Sequence, residues 1–181
     1  IRVAAESPTE SAIRLYEAKQ YPAAVRALTD VLRAQPDNAE ACYYLGMSLR
    51  HRGDAEARDA AAPWLARAAR LEPGNADYLA DYAGNCLELA DKHRSYSLAM
   101  QGRDAMEQAL RIDPKNYLAA SRLAWTLYNL KRYDAAAQEY QTVLVLYPSD
   151  LEMRLGLGNA LLGAGDKAGA AQAYQAVLDM M

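Results

Sequence analysis

The side chains best equipped for chemistry in this 181-residue chain are two imidazoles, His51 and His93, and two thiols, Cys42 and Cys86. On a continuous helix Cys86 and His93 would stand two turns, about 10 Å, apart, which is too far to share one metal ion. The chain has no Cys-x-x-Cys and no His-x-x-x-His pair. Two cysteines make no disulfide framework, and both fall on the core side of helix-like runs, where a thiol acts as a small apolar filler. Gly156-x-Gly158 and Gly163-x-Gly165-Asp166-Lys167 fall short of the dinucleotide fingerprint and of the phosphate loop. No residue therefore reads as catalytic, cofactor-binding or metal-binding, and the expectation is a protein that is not an enzyme.

The elements that would carry these residues are set out by four prolines, Pro36, Pro73, Pro114 and Pro148. Each closes an apolar run and is followed by Asn or Asp: Gln-Pro-Asp-Asn38, Glu-Pro-Gly-Asn75, Asp-Pro-Lys-Asn116 and Tyr-Pro-Ser-Asp150. Self-similarity at this period marks a solenoid of stacked units. The units run over about 5–38, 39–75, 76–116, 117–150 and 151–181, a single array over residues 1–181. In each, small residues (Ala12, Gly46, Ala83, Ala124 and Gly158, then Ala24, Ala61, Gly102, Ala136 and Ala170) let two helices approach, and larger apolar residues at helical spacing fill the space beside them. Pro stops the second helix, and Asn38, Asn75, Asn116 and Asp150 cap the helices that follow. Ser7-Pro8-Thr9-Glu10 reads as a capping box with Pro at the first helical position.

Unit 117–150 is 34 residues long and carries Leu123-Ala124, Leu127, Ala136, Tyr140, Val143 and Pro148. With the same frame in the other four units, it resembles the tetratricopeptide repeat, with Ala120 in place of the family's first Trp. The resemblance implies an all-α, right-handed solenoid of antiparallel helix pairs, and a scaffold or adaptor that binds a protein or peptide partner in its concave groove. One subclass of the family grips a C-terminal carboxylate with Lys and Asn. Here those places hold Thr9/Ile13, Tyr43/Met47 or Ala80/Gly84, so that subclass is not expected. Residues 75–83, the longer third unit, and 102–110 with Asp113-Pro114 also resemble the accessory proteins of bacterial cytochrome c maturation. Those are periplasmic domains that hold the C-terminal helix of an apocytochrome.

Helical spacing places a second stripe about a quarter-turn from the core stripe of each first helix. It comprises Tyr43, Met47 and Arg50; then Asp81, Asn85 and Glu88; then Arg122, Trp125 and Tyr128 or Asn129; and finally Glu152, Gly156 and Asn159. The expected binding groove is therefore Tyr43, Met47, Arg50, Asp81, Asn85, Arg122, Trp125, Tyr128 and Asn159: two aromatic-basic clusters flanking an acidic strip. The second unit is three residues and the third seven residues longer than 34; the second excess reads as a longer turn, the third (88–97) as either an extension of both helices or a loop, and both are expected to be dispensable for folding. Asp59 reads as the cap of a helix with Pro63 in its first turn.

A net charge of −3 argues against a nucleic-acid partner, which needs a basic stripe. No apolar run is long enough for membrane insertion, so a soluble protein, cytoplasmic or periplasmic, is expected. Phe is absent while Tyr occurs 13 times, and Tyr140 and Tyr174 stand where the resembled family has a large aromatic core residue, so most Tyr read as structural. The last unit ends on Tyr174, Val177, Leu178, Met180 and Met181 with few charges, which predicts an uncovered apolar face and a possible homo-oligomer through the C-terminal helix, the alternative role being self-assembly.

Overall fold

A computed structural model describes residues 6–53 and 56–181. Ala5, at the start of the first expected unit, and Asp54 and Ala55, in the expected long turn, lie outside the described residues. The chain forms helices α1 (Pro8–Glu17), α2 (Tyr21–Ala34), α3 (Ala39–His51), α4 (Ala57–Leu71), α5 (Ala76–His93), α6 (Tyr96–Ile112), α7 (Tyr117–Asn129), α8 (Tyr133–Leu146), α9 (Leu151–Ala164) and α10 (Lys167–Met180). Among the described residues there is no strand.

The helix starts follow the punctuation of the sequence. Asn38, Asn75, Asn116 and Asp150 are the N-caps of α3, α5, α7 and α9, and their side chains accept from the N–H of Ala41 (2.8 Å), Tyr78 (3.2 Å), Ala119 (2.9 Å) and Met153 (3.0 Å). Ser7 and Glu10 complete the expected capping box on α1. Three caps also tie successive repeats together. Asn38 donates to Thr9 (3.2 Å), Asn116 donates to Asp77 (2.9 Å), and Asp150 accepts from Tyr117 (2.6 Å).

Neighbouring helices pack pairwise along the chain. The ten small residues expected at the crossings are all buried. Gly46 is the clearest case: a Cβ there would stand 2.7 Å from the Leu65 side chain, so only glycine admits α4 at this separation. At Gly158 a Cβ would meet the Tyr174 ring at 2.4 Å. Two apolar clusters result, one over α1 to α4 around Leu28, Leu45 and Leu65, the other over α4 to α9 around Met106, Leu123 and Val143. Tyr82 packs against both.

Of the two lengthened units, the second differs from expectation at the start of its second helix. Helix α4 starts at Ala57, with Glu56 at its N-cap, so Asp59 lies inside the first turn and Pro63 is an interior residue. An interior proline costs about 3 kcal/mol. Burial of Ala61 and Leu65 in the cluster they share with α3 holds the helix together across it, and Ala57 is buried before it. In the third unit the seven extra residues make no loop. They lengthen α5 and α6, which meet across Arg94 and Ser95. Arg94 adopts a left-handed conformation (φ 49°), and Ser95 caps α6 by accepting from the Leu98 N–H at 3.3 Å. Leu89 and Ala90 are buried, and Lys92 and His93 both reach Asp59 of α4, His93 at 2.6 Å. This tip is packed against α4, so of the two expected alternatives the chain takes helix extension and not a loop.

At the other end α10 buries Ala170 and Ala173 and leaves Leu178 and Met180 exposed. Tyr140 fills a core position as expected, whereas Tyr174 is half-buried and donates to Asn159 (2.7 Å).

Burial pushes Tyr78, Tyr82 and Tyr140 up to about 12 from an ordinary 10.0. Their phenols are neutral in both states below pH 10, and the stability they carry is lost as pH rises through about 12, because the unfolded chain ionises first. The expected outcome is cooperative alkaline unfolding in that window. It is read as loss of helical ellipticity as pH rises from 10 to about 12, accompanied by the last part of the phenolate absorbance, and full helicity retained above that window would contradict it.

Candidate functional site

The first helices of the hairpins, α1, α3, α5, α7 and α9, form one face. Contacts link α1 to α3, α5 to α7 and α7 to α9. Helices α3 and α5 are joined by long side chains. Tyr43 donates its hydroxyl to Asp81 (2.8 Å) and stacks on Tyr78 with ring centroids 4.4 Å apart. Arg50 pairs with Glu88 and stands 3.6 Å from Asp81, while Arg58 of α4 reaches Glu88 through Nε at 2.9 Å. Burial, then the charge of Asp81, drives the Tyr43 phenol far above its ordinary pKa, so it remains a donor.

This network accounts for most of the expected N-terminal groove residues. Met47, Asp81 and Asn85 are buried, which withdraws them from the surface expected of them. The Asn85 amide donates to the Arg58 carbonyl (3.2 Å), and its Oδ1 is without a partner. The Arg50 side chain is only 12% exposed. The physical reason is reach. Spacing along one helix identifies the stripe, but a carboxylate 38 residues later, on the next first helix, lies within span of Tyr43 and Arg50 and takes up their hydrogen bonds.

The C-terminal half of the same face is open. A cavity of about 500 Å³ lies between α7 and α9, with Arg122, Trp125, Tyr128 and Asn159 in its lining, so four of the nine expected residues share one site. Trp125 is 51% exposed. Tyr128 is half-buried, its ring edge-on to Tyr133 at 5.6 Å. Asn159 is exposed and accepts from Tyr174. Tyr117, Tyr140, Glu152 and Leu155 line the cavity too. Gly156 opens it, since a Cβ there would stand 2.5 Å from the Tyr140 ring. Of these, Tyr117, Tyr140 and Leu155 were not expected. Tyr140 belongs to the second helix of its hairpin and could be found only by asking what a glycine on α9 makes room for.

Trp125 also walls a second cavity of about 440 Å³, where the long α5–α6 tip overhangs the end of α7. Leu87, Ala90 and Tyr96 line its far side, and Tyr96 is 70% exposed. Lengthening two helices has therefore produced an overhang on the α7 side and an ionic tie to α4 on the other.

Among the described residues no three His, Cys, Asp or Glu side chains converge as metal ligands. Cys42 and Cys86 are buried free thiols, and burial pushes both up. No described helix is long and apolar enough to cross a membrane. The open cleft presents an aromatic wall, one guanidinium and a few amide and hydroxyl groups.

The sequence pattern of the tetratricopeptide repeat family matches residues 9–76, 88–150 and 122–180. No curated protein matches. Among solved structures, the crystal structure of MamA superposes with a TM-score of 0.85 at 18% identity, covering 96% of this chain and 89% of that one. A MamA RS-1 ArsTM double mutant gives 0.83 at 16% identity, covering 98% and 96%. The crystal structure of YrrB, described as a TPR protein with an unusual peptide-binding site, gives 0.83 at 15% identity, covering 96% and 84%. At these identities the likeness establishes a shared fold.

Tyr43→Phe removes the donor to Asp81 and is expected to cost about 1.5–3 kcal/mol of stability, the net worth of a hydrogen bond to a charged group. A urea titration measures it. An unchanged midpoint would show that the Asp81 carboxylate is satisfied without Tyr43.

Proposed function

The chain belongs to the tetratricopeptide repeat family, and from that premise we propose that it is a non-catalytic scaffold whose first-helix face holds a peptide or helix of a partner protein in the cleft between α7 and α9. The observation that carries this reading is Trp125: a half-exposed indole on a rigid helix, walling two cavities at once. Large aromatic side chains on fixed scaffolds are the residues on which binding energy concentrates. The N-terminal part of the face supports the same location by contrast, because its polar groups are already paired with one another. A peptide-binding site described for YrrB, a protein of the same fold, fits this reading. An apocytochrome helix, implied by the resemblance over residues 75–114, is one member of the partner class.

A second reading, association of the chain with its own copy, is favoured by Leu178, which is 65% exposed beside Met180 on α10. Sedimentation over a wide concentration range distinguishes the two. A monomer at every concentration sinks self-association, and a dimer dissolved by Leu178→Glu supports it.

Trp125→Ala is expected to leave helicity and melting unchanged and to weaken partner binding by about 2 kcal/mol or more. The measurement is calorimetric titration with a peptide selected by the wild-type protein from a random display library. Full affinity in a folded Trp125→Ala variant would place the site elsewhere.

A further inference from the structure

The network at the first-helix face contains three guanidinium groups, Arg50 and Arg122 of first helices and Arg58 reaching in from α4, and two carboxylates, Asp81 and Glu88. Its formal balance is one positive charge in excess. The excess is not shared evenly. Arg50 lies against both carboxylates, and Arg58 holds Glu88 at 2.9 Å. Arg122 is the loosely held member: its Nη1 stands 3.9 Å from Asp81 and donates to the Ala80 carbonyl at 3.4 Å. Among the described residues none engages its Nε or Nη2.

The sequence provides for this placement. A Cβ at Gly84 would fall on the Arg122 guanidinium, so glycine lets the group rest on α5. That contact uses Nη1 and leaves the Nε–Nη2 edge, which is the edge that forks onto a carboxylate. The side chain is 27% exposed, and Arg122 lines the cavity between α7 and α9. Burial, and then the charge of Arg50, lower the pKa of this arginine, as befits a cation short of counter-charge.

We infer that the cavity takes an acidic side chain, an Asp or Glu within a partner peptide, forked onto Nε and Nη2 of Arg122, with an apolar neighbour of that residue on Trp125. The inference rests on the cleft reading above and names the partner chemistry for it. An internal residue fits better than a chain terminus, because the cavity continues along α7 on both sides of Arg122, to Tyr117 and Ser121 in one direction and to Trp125 and Tyr128 in the other. Glu152 of α9 lines the same cavity and repels a second carboxylate, so a run of acidic residues is disfavoured.

The test uses two random 12-residue display libraries, one with the peptide fused at its C-terminus and one ending in a free carboxylate. Peptides retained from the fused library by the wild-type protein are expected to share one Asp or Glu beside an apolar residue. Arg122→Gln, checked for fold by circular dichroism, is expected to lose that acidic preference. A synthetic selected peptide should lose about tenfold in affinity for the wild-type protein when its acid is changed to the amide, and about none for Arg122→Gln. If Arg122→Gln does not fold, Arg122→Lys keeps the charge without the fork and should weaken the acidic peptide alone.

Peptides retained without acidic enrichment, or with enrichment unchanged in the Arg122 variant, overturn the inference and leave the cleft reading standing. Enrichment confined to free C-termini overturns it as well. If a folded wild-type protein retains no peptide, the cleft reading falls and the inference with it.

Discussion

The architecture depends on how closely two helices can approach at one small residue in each. Where Gly46 faces Leu65, a single added carbon would stand 2.7 Å from a branched side chain, and the hairpin could not close at its present spacing. Everything else follows from that approach. It sets where the large residues Leu28, Leu45, Met106 and Val143 must fill, which stripe of each first helix is left over, and hence which residues can meet a partner.

Much of this was legible in the chain. The caps Asn38, Asn75, Asn116 and Asp150 and the small crossing residues are local signals, readable because helix termination and helix spacing are decided by residues close in sequence. The start of α4 was misread because Asp59 and Pro63 look like a beginning, while the burial of Ala57 is decided by tertiary packing. The third insertion was ambiguous for a related reason. Leu89 and Ala90 continue an apolar pattern, but whether they have something to pack on depends on α4 and α6.

The face of the first helices was legible in type and not in state. Spacing put Tyr43, Arg50 and Arg122 on one stripe, and the structure keeps them there. What spacing along a helix cannot contain is the partner across the gap. Asp81 and Glu88 sit on the next first helix, and their meeting with Tyr43 and Arg50 turns half of an expected contact surface into internal wiring. The half that stays open is the one where α9 presents Gly156 and Leu155 and no long charged side chain crosses to α7.

The ionic joint between α3 and α5 has a consequence for assembly of the array. Repeats that resemble one another carry a hazard of their own: any hairpin offers an acceptable apolar stripe to the wrong neighbour, and a chain can close on itself out of order. Leucine and alanine stripes discriminate poorly. Tyr43 opposite Asp81 and Arg50 opposite Glu88 form a pair of matched marks at this junction, while the later ones carry other pairings, Arg122 with Asp81 and Tyr117 with Asp150. Stacking α3 on α7 or α9 in place of α5 would bury those charges without partners, at a cost of several kcal/mol. The joint thus acts as an address written in charge, by which the second hairpin identifies the third as the one that comes next.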